Sequence, residues 1–373
     1  MKIMKVPFID LKQRYIEEKD EILKAVTKVL EKGSLVLTPE LRELEESVEN
    51  FTGAKHCIGL NSGTDALMMA LWAEGIGKND EVIHPTISFI ASTGAIVHVG
   101  AEPVFCDVNN DGLINVDEIE AKITKNTKAI MPVHWAGKMC EMDKLISLAD
   151  SYNLKIIEDS AQAMGSYYKG KHGGNFGTAG AISCHPLKNF NAVGDGGLLL
   201  TNSDKIEKKV RLYRNHGTAS RDNIVIYGVN SRLDVINAEI LKFRLKKLNN
   251  IIDRRRYNAN LYRKLISANE IFIPPEKTAE GFIDSYVMFI VQAKNRDNLK
   301  QFLDDNNIET LIYYGTPLHL HEASKKFGHR RGDFPVSERQ CDMVLALPHH
   351  QHLTDDQISY VAEKINYFYK KIN

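Results

Sequence analysis

The sequence has 373 residues, enough for two domains or for one large domain with a smaller appendage. Hydrophobic residues make up 43% of the chain and charged residues 26%, a composition typical of a globular protein and unlike that of a disordered or fibrous one. Lys plus Arg and Asp plus Glu each number 48, so no overall charge would attract nucleic acid or a membrane surface. An anionic ligand would therefore need a local binding site.

The start of the chain, MKIMKVPFIDLKQRY, lacks an apolar segment of signal-peptide length, so secretion is not expected. The longest apolar runs, such as YVMFIV at 286–291, are far shorter than the roughly 20 residues that span a bilayer. The cysteines are scattered without a CxxC pair, as suits reduced thiols: Cys57, Cys106, Cys140, Cys184 and Cys341. These features predict a cytoplasmic protein with no membrane partner.

Short apolar runs alternate with helical stretches from about residue 55 to residue 200. Helices are predicted over 64–74 and 142–153, and the predicted strands are KHCIGL, EVIHPTI, EPVFCDV, TKAIMPV, LKIIED, AGAIS and GGLLLT. This alternation predicts an α/β architecture with a largely parallel central sheet. Functional side chains are then expected at the carboxyl ends of the strands.

A long, charged helix is predicted over 238–264, and a smaller α/β unit of about 110 residues follows it. Its predicted strands are SYVMFIVQ and ETLIYY, and an amphipathic helix over 355–371 ends the chain. We therefore expect a large domain at 1–240, whose first residues form an arm or a first helix. A smaller C-terminal domain at 241–373 would include the connecting helix.

The stretch NSGTDAL follows the predicted strand KHCIGL and forms a strand-to-helix turn at Gly63 and Thr64. The first N–H groups of a helix have no partner within it, so such a turn can cradle a phosphate. An ordinary Ser/Thr N-cap is the alternative for this motif by itself. The turn is neither a GxxxxGK[ST] loop nor a GxGxxG turn, so the fingerprints of nucleoside-triphosphate and dinucleotide sites are absent here.

Asp159 lies just past the predicted strand in LKIIEDSAQAMG. Helix capping is one role for such a carboxylate. The other is to pair with a protonated ring nitrogen, which keeps a pyridinium charged and makes the ring an electron sink. Gln162 could then hydrogen-bond a neighbouring ring substituent.

Lys188 follows the next predicted strand, in ISCHPLKNF, with Ser183 upstream. A lysine in such a segment is usually a solvated side chain, whereas a buried one is costly unless it is paired or serves chemistry. A phosphate cradle, a partner for a pyridinium and a lysine preceded by a hydroxyl together fit pyridoxal 5′-phosphate (PLP) bound as a Schiff base.

The motifs NSGTDAL, EDSAQAMG, SCHPLKN, GDGG and GVNSRLD resemble, in this order and over nearly the whole chain, those of the DegT/DnrJ/EryC1/StrS family of PLP-dependent sugar aminotransferases. The resemblance implies the type I (aspartate aminotransferase-like) fold, with a large mixed-sheet domain and a smaller C-terminal α/β domain. It makes Lys188 the Schiff-base lysine, Asp159 the partner of the ring nitrogen and Gln162 a contact on the ring hydroxyl side. The phosphate contacts that it implies are Gly63, Thr64 and Ser183.

Two further cofactor contacts follow from the resemblance. Phe89, in HPTISFIAST, stands where the family stacks an aromatic ring on the cofactor, although a core phenylalanine is the alternative. Asn230, in GVNSRLD, resembles a residue that reaches across a dimer interface to the partner's cofactor phosphate, whereas its residue type alone would suit a turn. The resemblance thus implies an obligate homodimer with two shared sites.

The segment LIYYGTPLHLHEASKKFG at 311–328 resembles in part the HYPxPxHL segment of family members that aminate C3 of a nucleotide-linked 3-keto sugar. Tyr313 stands where that pattern has His, and Gly315 where it has Pro. Tyr314, His319 and His321 could bind sugar hydroxyls or the diphosphate. Packing or surface roles are the alternative for these side chains.

Other histidines and arginines have competing interpretations. His185, close to Lys188, is expected near the sugar, with a hydrogen-bonded core histidine as the alternative. The cluster LPHHQHL at 347–353 has no acidic or cysteine partners, so no metal site is expected there. The arginine run at 254–256 is interpreted as a solvated helix face, with binding of nucleotide phosphates as the alternative.

The implied enzyme moves an amino group from L-glutamate to a nucleotide-linked keto sugar in two alternating half-reactions. The preferred acceptor is C3 of a dTDP-linked 3-keto-6-deoxyhexose, and a 4-keto sugar on UDP or GDP is the alternative; the product would enter a bacterial polysaccharide or glycosylation pathway. Lys188 argues against a dehydratase of the same family, in which histidine replaces the lysine. The presence of both Asp159 and Lys188 argues against a non-catalytic sensor.

Overall fold

The computed structural model describes residues 4–372 of the chain. The α-helices are α1 (Leu11–Lys32), α2 (Pro39–Thr52), α3 (Gly63–Ala73), α4 (Ile90–His98), α5 (Met142–Ser151), α6 (Asp204–Tyr213), α7 (Val235–Leu265), α8 (Arg296–Asp305), α9 (Pro335–Met343) and α10 (Asp355–Ile372). The strands are β1 (His56–Leu60), β2 (Glu81–Pro85), β3 (Glu102–Cys106), β4 (Thr127–Ile130), β5 (Lys155–Asp159), β6 (Tyr167–Tyr168), β7 (Lys171–His172), β8 (Ala179–Ser183), β9 (Gly197–Thr201), β10 (Thr218–Ser220), β11 (Asn223–Ile224), β12 (Ile271–Phe272), β13 (Phe282–Ile283), β14 (Phe289–Ala293) and β15 (Val344–Leu347).

The main sheet has the strand order β1-β9-β8-β5-β4-β2-β3. Strands β8, β5, β4, β2 and β3 pair in parallel, while β9 pairs antiparallel with both β8 and β1. Two successive antiparallel pairings leave β1 pointing in the same direction as β8. The carboxyl ends of β1, β2, β5 and β8 therefore meet at one edge of the sheet, where α/β proteins place their ligands.

The predicted elements of this region are confirmed. The helices expected over 64–74 and 142–153 are α3 and α5, and the seven expected strands are β1, β2, β3, β4, β5, β8 and β9. Helix α3 packs against β8, β9 and α4, which explains why its sequence, GTDALMMALWA, is apolar on nearly every face. Its N-terminus is thereby fixed at the ligand-binding edge of the sheet.

A second, antiparallel sheet follows the long helix α7, with the order β12-β14-β15. Helix α7 confirms the helix predicted over 238–264, and α10 confirms the final one. Near the start of the chain, Val6 pairs with the segment that follows α8: its N–H donates to the Asn307 carbonyl (2.9 Å), and its carbonyl accepts from the N–H of Glu309 (3.0 Å). The boundary expected between residues 240 and 241 falls inside α7, and the division into two domains remains a prediction.

Two local predictions were wrong. The stretch ETLIYY is not a strand: a single bridge joins Leu311 to Ala346, after which the chain turns away from the sheet. The arginine run is not wholly solvated, because Arg255 is only 2% exposed and donates hydrogen bonds to the carbonyls of Val287 (3.1 Å) and His349 (2.9 Å). Three consecutive residues on a helix point about 100° apart, so a helix packed on two sides must bury one of them.

The described residues also bear on the expectations about membrane spans, cysteine pairing and metal binding. No helix within 4–372 is long and apolar enough to cross a bilayer. Each of the five cysteines is buried and unpaired. In that same range, no three His, Cys, Asp or Glu side chains are grouped to hold a metal ion. His349 and His350 are buried, and burial lowers the pKa of His350 to about 4.

Candidate active site

A cavity of about 320 Å³ opens at the carboxyl edge of the main sheet. The turns after β1, β2, β5 and β8 surround it, as the topology requires. It brings together nine of the predicted site residues, which line its wall: Gly63, Thr64, Phe89, Asp159, Gln162, Ser183, His185, Lys188 and Tyr314. Residues that are distant in the sequence thus form one compartment.

The N-terminus of α3 forms one end of the cavity. The Ser62 side chain caps the helix by accepting a hydrogen bond from the Asp65 N–H (3.1 Å), and the first intrahelical bond runs from Ala66 N–H to the Ser62 carbonyl (3.1 Å). The N–H groups of Gly63 and Thr64 have no carbonyl one turn earlier in the helix to pair with. Capping and anion binding are therefore compatible at this turn, because the cap uses a different N–H group.

A close approach of two backbones explains the glycine in this turn. A Cβ added at Gly63 would lie 2.9 Å from Ser183 Cβ and 3.2 Å from Ser183 Cα, closer than packed carbon atoms allow. Without that atom, the helix N-terminus and the Ser183 hydroxyl at the end of β8 lie side by side. Free N–H groups, the positive end of a helix dipole and a hydroxyl form a donor set that fits a phosphate monoester.

Asp159 ends β5 and is buried at the wall of the cavity. One carboxylate oxygen accepts from the Ser92 hydroxyl (2.5 Å) and the other accepts from the Ala161 N–H (3.2 Å). Burial raises the pKa of Asp159, while Ser92, the Ala161 N–H and the Lys188 charge act in the opposite direction. A buried carboxylate of this kind fits a cationic partner such as the protonated nitrogen of a pyridine ring.

The preceding residue, Glu158, explains why Asp159 is so firmly placed. Side chains alternate along a strand, so Glu158 points away from Asp159. Its fully buried carboxylate accepts from the N–H groups of Phe176 (2.6 Å), Gly177 (2.7 Å) and Gly174 (2.8 Å) and lies 3.0 Å from His134 Nε2. Sequence reasoning missed this anchor, because the loop that supplies its donors follows β7.

Gln162 is buried one turn beyond Asp159. Its Oε1 accepts a hydrogen bond from the Ala136 N–H (2.7 Å), which fixes the amide plane. The amide nitrogen carries two hydrogens, of which one can bond to the Tyr314 hydroxyl and the other can be offered to the cavity. A donor at this point suits the ring hydroxyl contact that the sequence predicted for Gln162.

Lys188 extends into the cavity from the loop after β8, where its N–H donates to the His185 carbonyl (2.9 Å). The residue keeps some solvent exposure through the cavity mouth, while protein atoms surround its ammonium group. Burial lowers the pKa of Lys188 to about 8, and the nearby Asp159 charge opposes that shift. Near pH 8 a large fraction of the amine is therefore neutral and nucleophilic, unlike that of a solvated lysine.

Aromatic rings flank the cavity mouth. Phe89 is 55% exposed and its ring lies 6.2 Å from that of Tyr314, so it is not a core residue and its face is free for stacking. Burial raises the pKa of the Tyr314 hydroxyl, and the neighbouring Tyr313 and Asp159 raise it further. Tyr314 therefore remains a neutral hydroxyl donor at the cavity.

His185 lies at the exposed rim, where its Nδ1 accepts from the Leu187 N–H (3.2 Å). Burial and the Lys188 charge lower the pKa of His185, while Asp195 acts against them. Asp195 also lines the cavity, as do Ser88 and Tyr313. Sequence reasoning assigned no role to these three, although Asp195 stands in the GDGG motif and Ser88 next to Phe89.

Three predicted residues do not line the cavity. His319 is buried elsewhere, with its Nε2 3.1 Å from Glu338 Oε1 and its ring 4.6 Å from that of Phe334. His321 is exposed at the start of a short 3₁₀ segment, 322–327. Because the chain turns away after Tyr314 and packs against α9, we leave both histidines out of the site that we propose.

Asn230, the third of these, is exposed on the surface of its own chain. Its carbonyl accepts from the Asn61 side chain (3.3 Å), and the next residue, Ser231, accepts from the Asn61 N–H (3.1 Å) and donates to Asp65 (2.6 Å). The segment is thus fixed against the start of α3, while the Asn230 side chain is outside the cavity of the same chain. A contact with a cofactor phosphate would have to involve a second chain.

Comparison with known proteins gives a consistent result. The sequence model of the DegT/DnrJ/EryC1/StrS aminotransferase family matches residues 16–366. The chain is 38% identical to a UDP-N-acetyl-3-dehydro-alpha-D-glucosamine 3-aminotransferase of Acidithiobacillus ferrooxidans, covering 96% of this chain and 97% of the relative. It is 37% identical to the dTDP-3-amino-3,6-dideoxy-alpha-D-galactopyranose transaminase of Aneurinibacillus thermoaerophilus (97% and 99%) and to a pleiotropic regulatory protein of Geobacillus stearothermophilus (98% and 99%).

Solved structures share the fold. The crystal structure of DesV from S. venezuelae superposes with a TM-score of 0.96 at 35% identity, covering 99% of this chain and all of that one. The structure of NtdA from Bacillus subtilis, solved with bound cofactor PMP (pyridoxamine 5′-phosphate), superposes with a TM-score of 0.90 at 28% identity, covering 98% and 86% of the two chains. The type I fold expected from the motifs is confirmed.

Proposed function

The chain belongs to the DegT/DnrJ/EryC1/StrS aminotransferase family, and on this basis we propose that it aminates C3 of a nucleotide-linked 3-keto sugar with L-glutamate as the donor. It is a PLP-dependent sugar aminotransferase that acts on nucleotide sugars. The observation that carries the proposal is the placement of Lys188 and Asp159 in one cavity beside the N-terminus of α3. We propose a dTDP-linked 3-keto-6-deoxyhexose as the preferred acceptor.

The residues that line the cavity would have distinct roles in binding the cofactor and in proton transfer. Bound PLP supplies an aldehyde that accepts an amine and a ring that withdraws electrons from the carbon bearing that amine. Gly63, Thr64 and Ser183 would hold its phosphate, and Asp159 would hold a proton on its ring nitrogen. Lys188 would bind the aldehyde and, once displaced by the donor, would move the proton at the donor α-carbon through its neutral Nζ.

Two relatives support amination at C3 while differing in the nucleotide. The names of the A. ferrooxidans and A. thermoaerophilus enzymes both specify a 3-amino product, the first on UDP and the second on dTDP. A neutral Tyr314 hydroxyl and the exposed His185 and Asp195 at the cavity could bind sugar hydroxyls. A UDP-linked acceptor and amination at C4 of a UDP- or GDP-sugar are the alternatives that the experiment must separate.

The experiment is an acceptor panel with the PLP-loaded protein and L-glutamate. We expect kcat/KM for the dTDP-linked 3-keto-6-deoxyhexose to exceed that for the matched 4-keto isomer at least about tenfold, because a misplaced carbonyl cannot reach the aligned amine. Formation of 2-oxoglutarate gives the rate, and NMR of the product gives the position of the new nitrogen. Faster turnover of a UDP-linked 3-keto sugar would show that UDP, and not dTDP, is the preferred nucleotide. Faster turnover of the 4-keto isomer would overturn the assignment of C3.

The proposal includes a homodimer whose partners complete each other's sites. Large apolar side chains are exposed close to Asn230, as is common at protein interfaces. They are Ile224, Val225, Tyr227 and Val229, and Tyr227 is 96% exposed. Glutamate carries two carboxylates that need basic partners. Among the residues that line the cavity of one chain, the basic side chains are those of Lys188 and His185. A second chain would supply the missing contacts.

Subunit mixing tests this arrangement. Lys188→Ala and Asn230→Ala proteins should each be nearly inactive alone, whereas subunits exchanged at equal ratio should regain about a quarter of the wild-type activity, because half of the dimers then contain one intact site. The measurement is turnover after refolding or dilution-driven exchange, with each variant exchanged against itself as the control. Absence of complementation, with mixed dimers shown by mass spectrometry, would place Asn230 outside the site.

A cytoplasmic location is also part of the proposal. Five buried, unpaired cysteines are compatible with a reducing compartment, where thiols persist.

A further inference from the structure

Two buried serines form a hydrogen-bonded chain that ends at Asp159. Ser92 lies in the first turn of α4, and its hydroxyl oxygen is 2.5 Å from Asp159 Oδ2. The Ser88 hydroxyl oxygen, on the turn before α4, is 2.6 Å from that of Ser92. Both serines are buried, and Ser88 also lines the cavity.

The direction of the hydrogen bonds follows from the proton count. A serine hydroxyl has one hydrogen, and an ionised carboxylate can only accept. Ser92 must use its hydrogen on Asp159, so Ser88 must be the donor to Ser92. The resulting chain, Ser88 to Ser92 to Asp159, aligns both hydroxyl dipoles toward the carboxylate and strengthens the last bond.

These hydrogen bonds offset the free-energy cost that burial imposes on the ionised carboxylate of Asp159. The other groups that favour the ionised carboxylate are the Ala161 N–H, Lys188 and His134, and the Tyr314 hydroxyl, which also lines the cavity, interacts with it electrostatically. His134 is already paired with Glu158, and the positive charge of Lys188 is not permanent in a residue that must act as a neutral amine. Ser92 supplies a donor that does not change during the reaction.

We propose that Ser92, oriented by Ser88, is a positioning residue that keeps Asp159 ionised and aimed at the ring nitrogen of the bound cofactor. The inference rests on the role proposed for Asp159. It assigns a function to Ser88 and Ser92 of the HPTISFIAST segment, in which the sequence analysis had assigned a role only to Phe89.

The test is the binding of pyridoxamine 5′-phosphate to the apoprotein, measured by titration calorimetry at several pH values. This probe lacks the aldehyde and so reports the ring and phosphate contacts without covalent attachment to Lys188. Ser92→Ala should bind it about tenfold more weakly near neutral pH, because a hydrogen bond to a charged group is lost. Loss of the donor raises the pKa of Asp159, so the defect should shrink as the pH rises and the carboxylate ionises again.

Ser160 offers a matched control. It is a fully buried serine next to Asp159, and within the described residues its hydroxyl has no hydrogen-bond partner. Ser160→Ala should keep the wild-type affinity. Equal weakening by Ser92→Ala and Ser160→Ala, or a Ser92→Ala defect that persists unchanged at high pH, would indicate a packing effect and overturn the inference.

Two further variants separate the possible failures. If Ser92→Ala does not fold, Ser88→Ala replaces it, with an expected weakening of about threefold because only the orientation of the Ser92 hydroxyl is lost; unchanged affinity would overturn the inference. Asp159→Asn tests the premise. If it binds the probe normally, the role of Asp159 itself is wrong, whereas weakening by Asp159→Asn but not by Ser92→Ala rejects only the serine chain.

Discussion

Replacement of Lys188 by alanine is expected to abolish turnover and the covalent attachment of PLP while leaving the fold intact. The lysine supplies both the nucleophile and the proton carrier at the donor carbon, so the loss in rate should reach about ten-thousandfold or more. Its side chain faces a cavity, so truncation leaves little strain in the core. The measurement is mass spectrometry after borohydride reduction, which fixes the cofactor to the wild-type chain only, together with the rate of 2-oxoglutarate formation.

Lys138 is the matched control for that experiment. Burial lowers its pKa too, yet it is not among the residues that line the cavity. Lys138→Ala should retain the reducible attachment at Lys188. A Lys188→Ala protein that still holds the cofactor covalently would assign the attachment to another lysine and refute this site.

Asp159→Asn is expected to slow the reaction with L-glutamate by about a hundredfold to a thousandfold, because a preorganised charge opposite the ring nitrogen is removed. Asparagine has the same shape, and its oxygen can still accept the hydrogen bond from Ser92. The fold and the covalent attachment at Lys188 should therefore survive. Single-turnover absorbance after addition of glutamate to the PLP-loaded protein measures the effect without the sugar substrate.

Asp284 provides the comparison for this variant. It is another largely buried carboxylate, and burial raises its pKa to about 6, but it does not line the cavity. Asp284→Asn should leave the rate of the glutamate half-reaction near that of the wild type. A near-normal rate for Asp159→Asn would mean that this carboxylate has only a structural role.

Several of the predicted site residues that line the cavity lie at the ends of strands. Asp159 and Ser183 are the last residues of β5 and β8, and Gly63 begins the helix after β1. The apolar pattern of a strand shows where it ends, and parallel strands must end at the same edge of their sheet. Local patterns were therefore sufficient to predict that these residues meet.

The positions of other predicted residues depend on how distant segments of the chain pack. His319 and His321 lie only a few residues beyond Tyr314, yet a buried contact with Glu338 of α9 takes His319 away from the cavity. Arg255 likewise lies on a buried face of α7, where it contacts the segments of Val287 and His349. Residue types and spacing do not specify which distant segment will cover them.

The sequence by itself determined the alternation of strands and helices, the ends of the strands and, through its motifs, the family and the cofactor. The tertiary structure decided which side chains surround that cofactor site and how they are charged. Ser92 and Asp159 are 67 residues apart in the chain, and only the fold brings the first turn of α4 to the end of β5, where the two residues are hydrogen-bond partners. Burial, which shifts the pKa of Lys188 and of Asp159, likewise exists only in the folded chain, because desolvation requires neighbours from many segments.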